Sequence, residues 1–344
     1  MKKAATLGLK IVITVGLYVY ILSKVNIGRL WEMTREAQTS YFLAAILIYF
    51  LVQALSAYRW YVLLPPLGIR VPFLKILGLF FLGMYSNLFL PAAIGGDVVR
   101  IYYLNKEARN LSGSTATVFL DRDVGLAALL VIAIIAAAAG GTRFNSVMLA
   151  PVFGLITLGF VAINLSLFYR PTYNLVHRIM KLLKMKQADE KIERMFVAIT
   201  AYRKHPGLLW KAAVLSVIIQ LGGIVVNALA GHSIGITTRN GITDYLVFIP
   251  AISLISMNPI SLNGMGWREA AYIILFMSAG ASRDQATILS LLWLAVLVVT
   301  SLPGGLVYFL QGARKKDLIA PAATDAEVPA EAVAGEALPL VVDE

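Results

Sequence analysis

An all-α polytopic membrane protein is the fold class this sequence predicts, and three observations carry the prediction. Of its 344 residues, 59% are hydrophobic and 14% charged, against about 45–50% and about 25% in soluble domains. Apolar stretches recur at roughly 7–23, 41–64, 73–90, 114–140, 145–168, 207–230, 245–260, 268–280 and 285–311, and many approach the roughly 20 residues that cross a bilayer. Basic residues outnumber acidic ones, 30 to 19, and fall mostly between these stretches. The same composition excludes other classes. Without cysteine there is no disulfide framework and no thiolate metal site. His177, His205 and His232 lack ligand spacing, so no metal or other cofactor is expected. The formal charge of +11 is assigned to cytoplasmic-side loops rather than to nucleic acid.

From the N-terminus, Lys2 and Lys3 precede an apolar run that Lys10 interrupts, with no small-x-small cleavage site before Lys24. It reads as an uncleaved first span. If all nine stretches crossed with the N-terminus inside, 19 basic residues would face outward and 8 inward. That reverses the positive-inside rule. Residues 73–104 and 245–280 each carry a Pro/Gly break in mid-run, at Pro91-Ala-Ala-Ile-Gly-Gly-Asp97 and Pro259-Ile-Ser-Leu-Asn-Gly-Met-Gly266. Read as re-entrant hairpins, they leave 20 basic residues inside and 7 outside. The expectation is about six spans plus two re-entrant helical hairpins, in the cytoplasmic (inner) membrane, with both termini cytoplasmic.

Residues 41–140 then read span, hairpin, span, and residues 207–311 read the same in the opposite direction. Two inverted-topology units of this kind are a transporter architecture. The spacings agree. Tyr41 precedes Pro91 by 50 residues and Leu208 precedes Pro259 by 51; from each proline a glycine follows at +5 (Gly96, Gly264) and an arginine at +9 (Arg100, Arg268). Between the units, residues 170–205 alternate basic and apolar side chains, as a cytoplasmic amphipathic segment on an anionic leaflet does. Residues 1–313 form the transmembrane domain. Residues 314–344 hold seven acids after Lys316 and few large apolar side chains, the composition of a disordered tail.

Irregular backbone at membrane depth is tolerated where it is buried in protein or lines a wet cavity, so the two tips are expected to meet. Each starts a half-helix whose first N–H groups favour an anion. Gly95, Gly96, Gly264 and Gly266 would let a ligand approach them. Arg100 and Arg268 lie in those first turns, where a guanidinium fork suits a phosphate; the competing reading pairs them with Asp97 and Glu269 alone. Asn263 and Trp267 complete the candidate binding set. Asp121, Arg122 and Asp123 follow one another near the start of a span, about 100° apart in helical projection. Asp121 or Asp123 carries a coupling proton, or forms a buried pair with Arg59 or Arg122. Gln53, Gln220 and Asn227 read as polar contacts between spans. Trp31, Tyr41, Trp60, Tyr61 and Trp210 read as interface anchors.

The runs Pro91-Ala-Ala-Ile-Gly-Gly-Asp-Val-Val-Arg-Ile-Tyr-Tyr-Leu104, Leu120-Asp-Arg122 and Pro259-Ile-Ser-Leu-Asn-Gly-Met-Gly-Trp-Arg-Glu-Ala-Ala271 resemble the flippase-like family. This comprises the lysylphosphatidylglycerol synthase transmembrane region and its stand-alone relatives. Tyr58-Arg59-Trp60 also fits, and the likeness covers about residues 7–311. The resemblance implies translocation of an anionic phospholipid or an isoprenoid-linked (glyco)lipid, with Asp97, Arg100, Asp121, Arg122, Arg268 and Glu269 as functional residues. Trp267 departs from it, standing where the family more often has a small aliphatic residue. The thirty-residue tail leaves no room for an aminoacyl-transferase domain, so the chain is expected not to be an enzyme. The expected partners are membrane lipids and a lipid-modifying enzyme encoded separately. The alternatives are an integral membrane enzyme acting on a lipid-linked substrate, a proton-coupled exporter of a small anion, or a membrane anchor.

Overall fold

The computed structural model of the chain describes residues 37–90, 95–140, 146–169, 196–257, 264 and 266–310, with single positions at 174, 178 and 193. The expected first span, the tip residues 91–94 and 258–263 (Asn263 among them), most of the segment 170–205 and the tail 314–344 lie outside the described residues. Nine α-helices and two 3-10 turns make up the described elements, without a strand among them.

Local sequence explains most boundaries. Helix α1 (Thr39–Val62) runs until Pro65 and Pro66, which lack the N–H a helix needs; Gly68 turns the chain with φ +72°. Pro72 precedes α2 (Phe73–Asn87). After the tip, α3 (Gly95–Ala108) follows. A sharp turn at Arg109 leads to Asn110, whose side chain accepts the Gly113 N–H at 2.8 Å and caps α4 (Leu111–Gly140). Helix α5 is Ser146–Phe168. Helix α6 (Pro206–Ser233) starts on a proline in the first turn, where the missing donor costs nothing. Helix α7 is Ile242–Ser256 and α8 is Trp267–Ser278, where the Glu269 side chain reaches back to accept the N–H of the N-cap residue Gly266. Ser282 and Gln285 form a capping box at the start of α9 (Arg283–Leu310).

Long, short, short, long is thus the order of α1–α4, with 24, 15, 14 and 30 residues. It recurs in α6–α9, with 28, 15, 12 and 28. The two sets pack reciprocally: α1 lies on α6, α2 on α9, and α4 on α7. The α2–α9 crossing is close because Gly304 has no side chain; a Cβ there would stand 2.0 Å from the Phe81 carbonyl oxygen. Each set has its own apolar core, one around Trp60, Phe80 and Leu104 and the other around Phe248, Tyr272 and Phe276. A third cluster with Tyr49, Val52, Val226 and Val296 joins them.

The outward faces are equally apolar. Leu43, Leu47 and Leu51 on α1, Leu74 on α2, Ile274 on α8 and Phe309 on α9 are all exposed, and patches of this extent suit lipid rather than water. Among the described residues, three helices are long and apolar enough to cross a membrane: α1 with its following turn (Thr39–Leu67), α6 and α9. Trp60 corrects the expectation of an interface anchor. It is fully buried, and its Nε1 donates to Thr117 Oγ1 at 3.3 Å.

Candidate functional site

Five charged side chains of the first helix set form one continuous chain. Asp121 on α4 is 1% exposed; its Oδ1 accepts Arg59 Nε at 2.8 Å and its Oδ2 accepts Arg100 Nη2 at 2.9 Å. Arg100 Nη1 continues to Asp97 Oδ1 at 3.3 Å. Asp97 in turn accepts Arg122 Nε on Oδ2 and Nη2 on Oδ1, both at 2.9 Å. The order Arg59–Asp121–Arg100–Asp97–Arg122 alternates sign at every step.

Helix geometry assembles this chain. Asp97 and Arg100 are three residues apart on α3 and so share a face. Asp121, Arg122 and Asp123 diverge by about 100° per residue and reach different partners: Asp121 meets α1 and α3, Arg122 meets Asp97, and Asp123 Oδ1 accepts Asn164 Nδ2 of α5 at 2.9 Å. Tyr49, Gln53, Ser56 and Arg59 recur at spacings of four, three and three, a polar stripe along α1. Arg59 Nη1 also donates to Ser216 Oγ on α6 at 2.7 Å. The Arg100 guanidinium lies 4.1 Å from the Trp60 ring centroid and 4.8 Å from that of Phe80, a cation–π environment that strengthens when water is excluded. Alternation is what allows such charge to be buried, because each lone ion would cost several kcal/mol.

In the second set the corresponding charges are adjacent. Glu269 Oε1 accepts Arg268 Nη2 at 2.6 Å and Nε at 3.1 Å, while its Oε2 accepts the Gly266 N–H at 2.6 Å. One carboxylate therefore both caps α8 and neutralises the arginine in its first turn, where a cation opposes the helix dipole.

The two sets face a common cavity of about 690 Å³. Its polar wall comes from Tyr49, Gln53 and Arg59 on α1, Asp97 and Arg100 on α3, Asp121, Arg122 and Asp123 on α4, and Arg268 and Tyr272 on α8. Its apolar wall comes from α4, α5, α7 and α9, through Leu126, Leu129, Phe160, Ile163, Ile249, Ile252 and Leu297. Tyr49 lines the cavity together with Arg122 of the first set and Arg268 of the second.

Of the residues singled out in the sequence, the cavity brings together Asp97, Arg100, Asp121, Arg122, Asp123 and Arg268. Gly95, Gly96, Gly264, Gly266, Trp267 and Glu269 are not on its wall. Two of the backbone donors expected to meet a ligand are already used: Gly96 N–H donates to Asn87 Oδ1 at 2.7 Å, and Gly266 N–H to Glu269. Gly96 instead permits helix contact, since a Cβ there would stand 2.1 Å from the Gly83 carbonyl oxygen. Trp267 is 39% exposed. Arg100 is 4% exposed, whereas the Arg122 side chain is 52% exposed and its Nη1 donates to no described residue. Gln220 donates to the Gly125 carbonyl at 3.0 Å and Asn227 accepts from Tyr272 at 2.5 Å, both contacts between helices, α6 with α4 and α6 with α8. Sequence reasoning left Arg59, Trp60, Tyr49 and Tyr272 out of the site. The polar stripe on α1 was the available signal for Tyr49 and Arg59.

The lysylphosphatidylglycerol synthase TM region is the family whose model matches, over residues 7–304. A UPF0104 membrane protein of Pyrococcus horikoshii is 33% identical over 117 residues, which are 33% of this chain and 35% of that protein. A UPF0104 membrane protein of Methanothermobacter thermautotrophicus is 25% identical over 273 residues, 74% of this chain and 80% of that protein. The chain thus spans about a third of the first relative and most of the second. No solved structure matches.

Proposed function

The chain belongs to the family of lysylphosphatidylglycerol synthase TM regions, and from that premise we propose that this membrane protein is a lipid translocase. It moves an anionic phospholipid or an isoprenoid-linked (glyco)lipid across the cytoplasmic membrane and performs no chemical step on it. The observation that carries this reading is the mixed lining of the cavity, with charged side chains from α1, α3, α4 and α8 and apolar ones from α4, α5, α7 and α9. A headgroup phosphate fits against the first and acyl or prenyl chains against the second. Arg122 and Arg268 grip the phosphate; Arg100, committed to two carboxylates, positions Asp97 and thereby Arg122. The lipid's enzymatic source or fate belongs to a separately encoded enzyme.

An inverted pair of units, about six spans and two re-entrant hairpins accompany the reading. Support comes from the repeated order of helix lengths and from the reciprocal contacts α1–α6, α2–α9 and α4–α7. Helices α2 and α7, 15 residues each, rise only about 22 Å, short of the roughly 30 Å hydrocarbon layer. Basic residues support cytoplasmic termini: with the buried Arg59, Arg100 and Arg268 set aside, eighteen still fall inside against six outside. Rocking of one unit against the other would open the site to either leaflet.

The test is reconstitution into phosphatidylcholine vesicles with a trace of acyl-labelled phosphatidylglycerol, following the label's accessibility to an external quencher. Arg122→Ala and Arg268→Ala are each expected to slow translocation at least about tenfold, the equivalent of about 1.4 kcal/mol. Wild-type rates in both variants would remove the phosphate site. A chain that moves no anionic lipid faster than protein-free vesicles do would remove the function.

A further inference from the structure

Three of the carboxylates around the cavity are each committed to arginine: Asp97 to Arg100 and Arg122, Asp121 to Arg59 and Arg100, and Glu269 to Arg268. Asp123 is not. Among the described residues its partner is a neutral amide, Asn164, and it lines the same cavity as Arg122 one position earlier on α4. An arginine would hold a carboxylate in its charged form; an amide donor to Oδ1 leaves Oδ2 able to carry a proton. The titratable groups presented to the cavity by neighbouring helices are Tyr49 and Arg59 from α1, Asp97 and Arg100 from α3, and Arg268 and Tyr272 from α8. Among the described residues the other lining helices present none there. Every charged member of that set is already paired: Arg59 and Arg100 with Asp121, Asp97 with Arg100 and Arg122, and Arg268 with Glu269. Arg122, though tied to Asp97, is half exposed, and its Nη1 donates to no described residue.

Charge counting then distinguishes the states. Four arginines face four carboxylates, so the empty site is neutral with Asp123 ionised and carries +1 with Asp123 protonated. A monoanion that arrives at Arg122 leaves the site at −1 in the first case and neutral in the second. An uncompensated charge in apolar surroundings lowers the population of a state roughly a hundredfold. The two neutral states, empty and ionised or loaded and protonated, are therefore the ones that reorient.

Resting on the translocase reading, we propose that Asp123 carries one proton for each monoanionic phosphodiester headgroup, so that lipid and proton cross together without net charge. The proton comes from water on the loading side and occupies the Asp123 carboxyl while the headgroup is held. It returns to water on the far side when the headgroup departs. No bond to phosphorus forms or breaks. Asn164 positions the carboxyl in both states.

Vesicles holding the full chain, a trapped pH-sensitive dye and trace acyl-labelled phosphatidylglycerol read this directly in the wild type, independently of any variant's folding. A gradient of one pH unit is expected to concentrate the label about tenfold in the leaflet on the alkaline side, with one proton moved per lipid. In Asp123→Asn the proton signal and the response to the gradient are lost, and in Asn164→Ala both are weakened. Lipid movement without proton movement, or a distribution indifferent to the gradient, overturns the coupling and leaves the translocase reading standing. Proton-linked uptake of dimethyl phosphate in place of the lipid keeps the coupling and overturns the lipid. If neither anion moves, both readings fall.

Discussion

Asp121 is the residue on which most of the buried charge depends. Two arginines from two other helices end on its two oxygens, so Asp121→Ala takes from Arg59 its carboxylate and from Arg100 the nearer of its two. Breaking a buried pair from one side costs roughly 3–5 kcal/mol. The expected result is a large fall in the thermal midpoint followed by tryptophan fluorescence in detergent, with Arg122→Ala clearly milder because its side chain is half exposed. Equal losses in the two variants would mean that Arg122 is a structural tie rather than a ligand-facing group. The candidate charges were legible at this scale, since an ionisable residue inside an apolar run draws attention by its cost. Their pairing was legible in part: Arg100–Asp97, Arg268–Glu269 and Asp121–Arg59 stood among the sequence readings and are formed, whereas the Arg122–Asp97 bridge was not foreseen. Arg100 stood beside Asp97 in the sequence and was read with it, yet the Nη2 bond to Asp121, 21 residues on, is invisible to local spacing. Trp60 misled for a related reason: an aromatic at a span end usually marks the interface, and here the ring is the stacking surface for Arg100.

At the scale of elements, the glycines separate into those that permit helix contact and those that do not. Gly304→Ala would press a methyl group onto the Phe81 carbonyl at the α2–α9 crossing, and overpacking of this kind costs roughly 1–3 kcal/mol. Gly223, on α6, has open space where a methyl group would stand; Gly223→Ala is expected to stabilise by up to about 1 kcal/mol through helix propensity. Thermal unfolding of the two variants side by side checks the assignment, and equal effects would contradict the crossing. Boundaries were largely readable from Pro65, Pro72, Asn110 and the Ser282–Gln285 box, because caps and breakers act locally. The role of Gly96 was not, since a ligand-facing glycine and a helix-facing glycine have the same sequence signature; the Gly83 carbonyl opposite it decides the matter.

For the whole molecule, the proposed inverted arrangement of two re-entrant hairpins makes a prediction about sidedness. The chain contains no cysteine, so single cysteines can be introduced without background. Lys75→Cys and Arg109→Cys, at the two ends of the first hairpin, are expected to label from one membrane face. Arg239→Cys and Ser282→Cys, at the ends of the second, label from the other. Membrane-impermeant maleimide applied to oriented vesicles reads the pattern, and labelling of Lys75 and Arg109 from opposite faces would remove the first re-entrant hairpin. Composition and hydropathy by themselves determined that this is a helical membrane protein, where its helices break, and which charges sit in apolar surroundings, because each of these follows from local transfer and capping energies. Only the tertiary structure decided that Arg122 answers Asp97 and that Arg100 also reaches Asp121, that both helix sets open on one cavity, and that Asp123 alone among the described cavity carboxylates is held by an amide. Those are contacts between residues tens to more than a hundred positions apart, fixed by how helices cross, and a linear pattern carries no record of crossing.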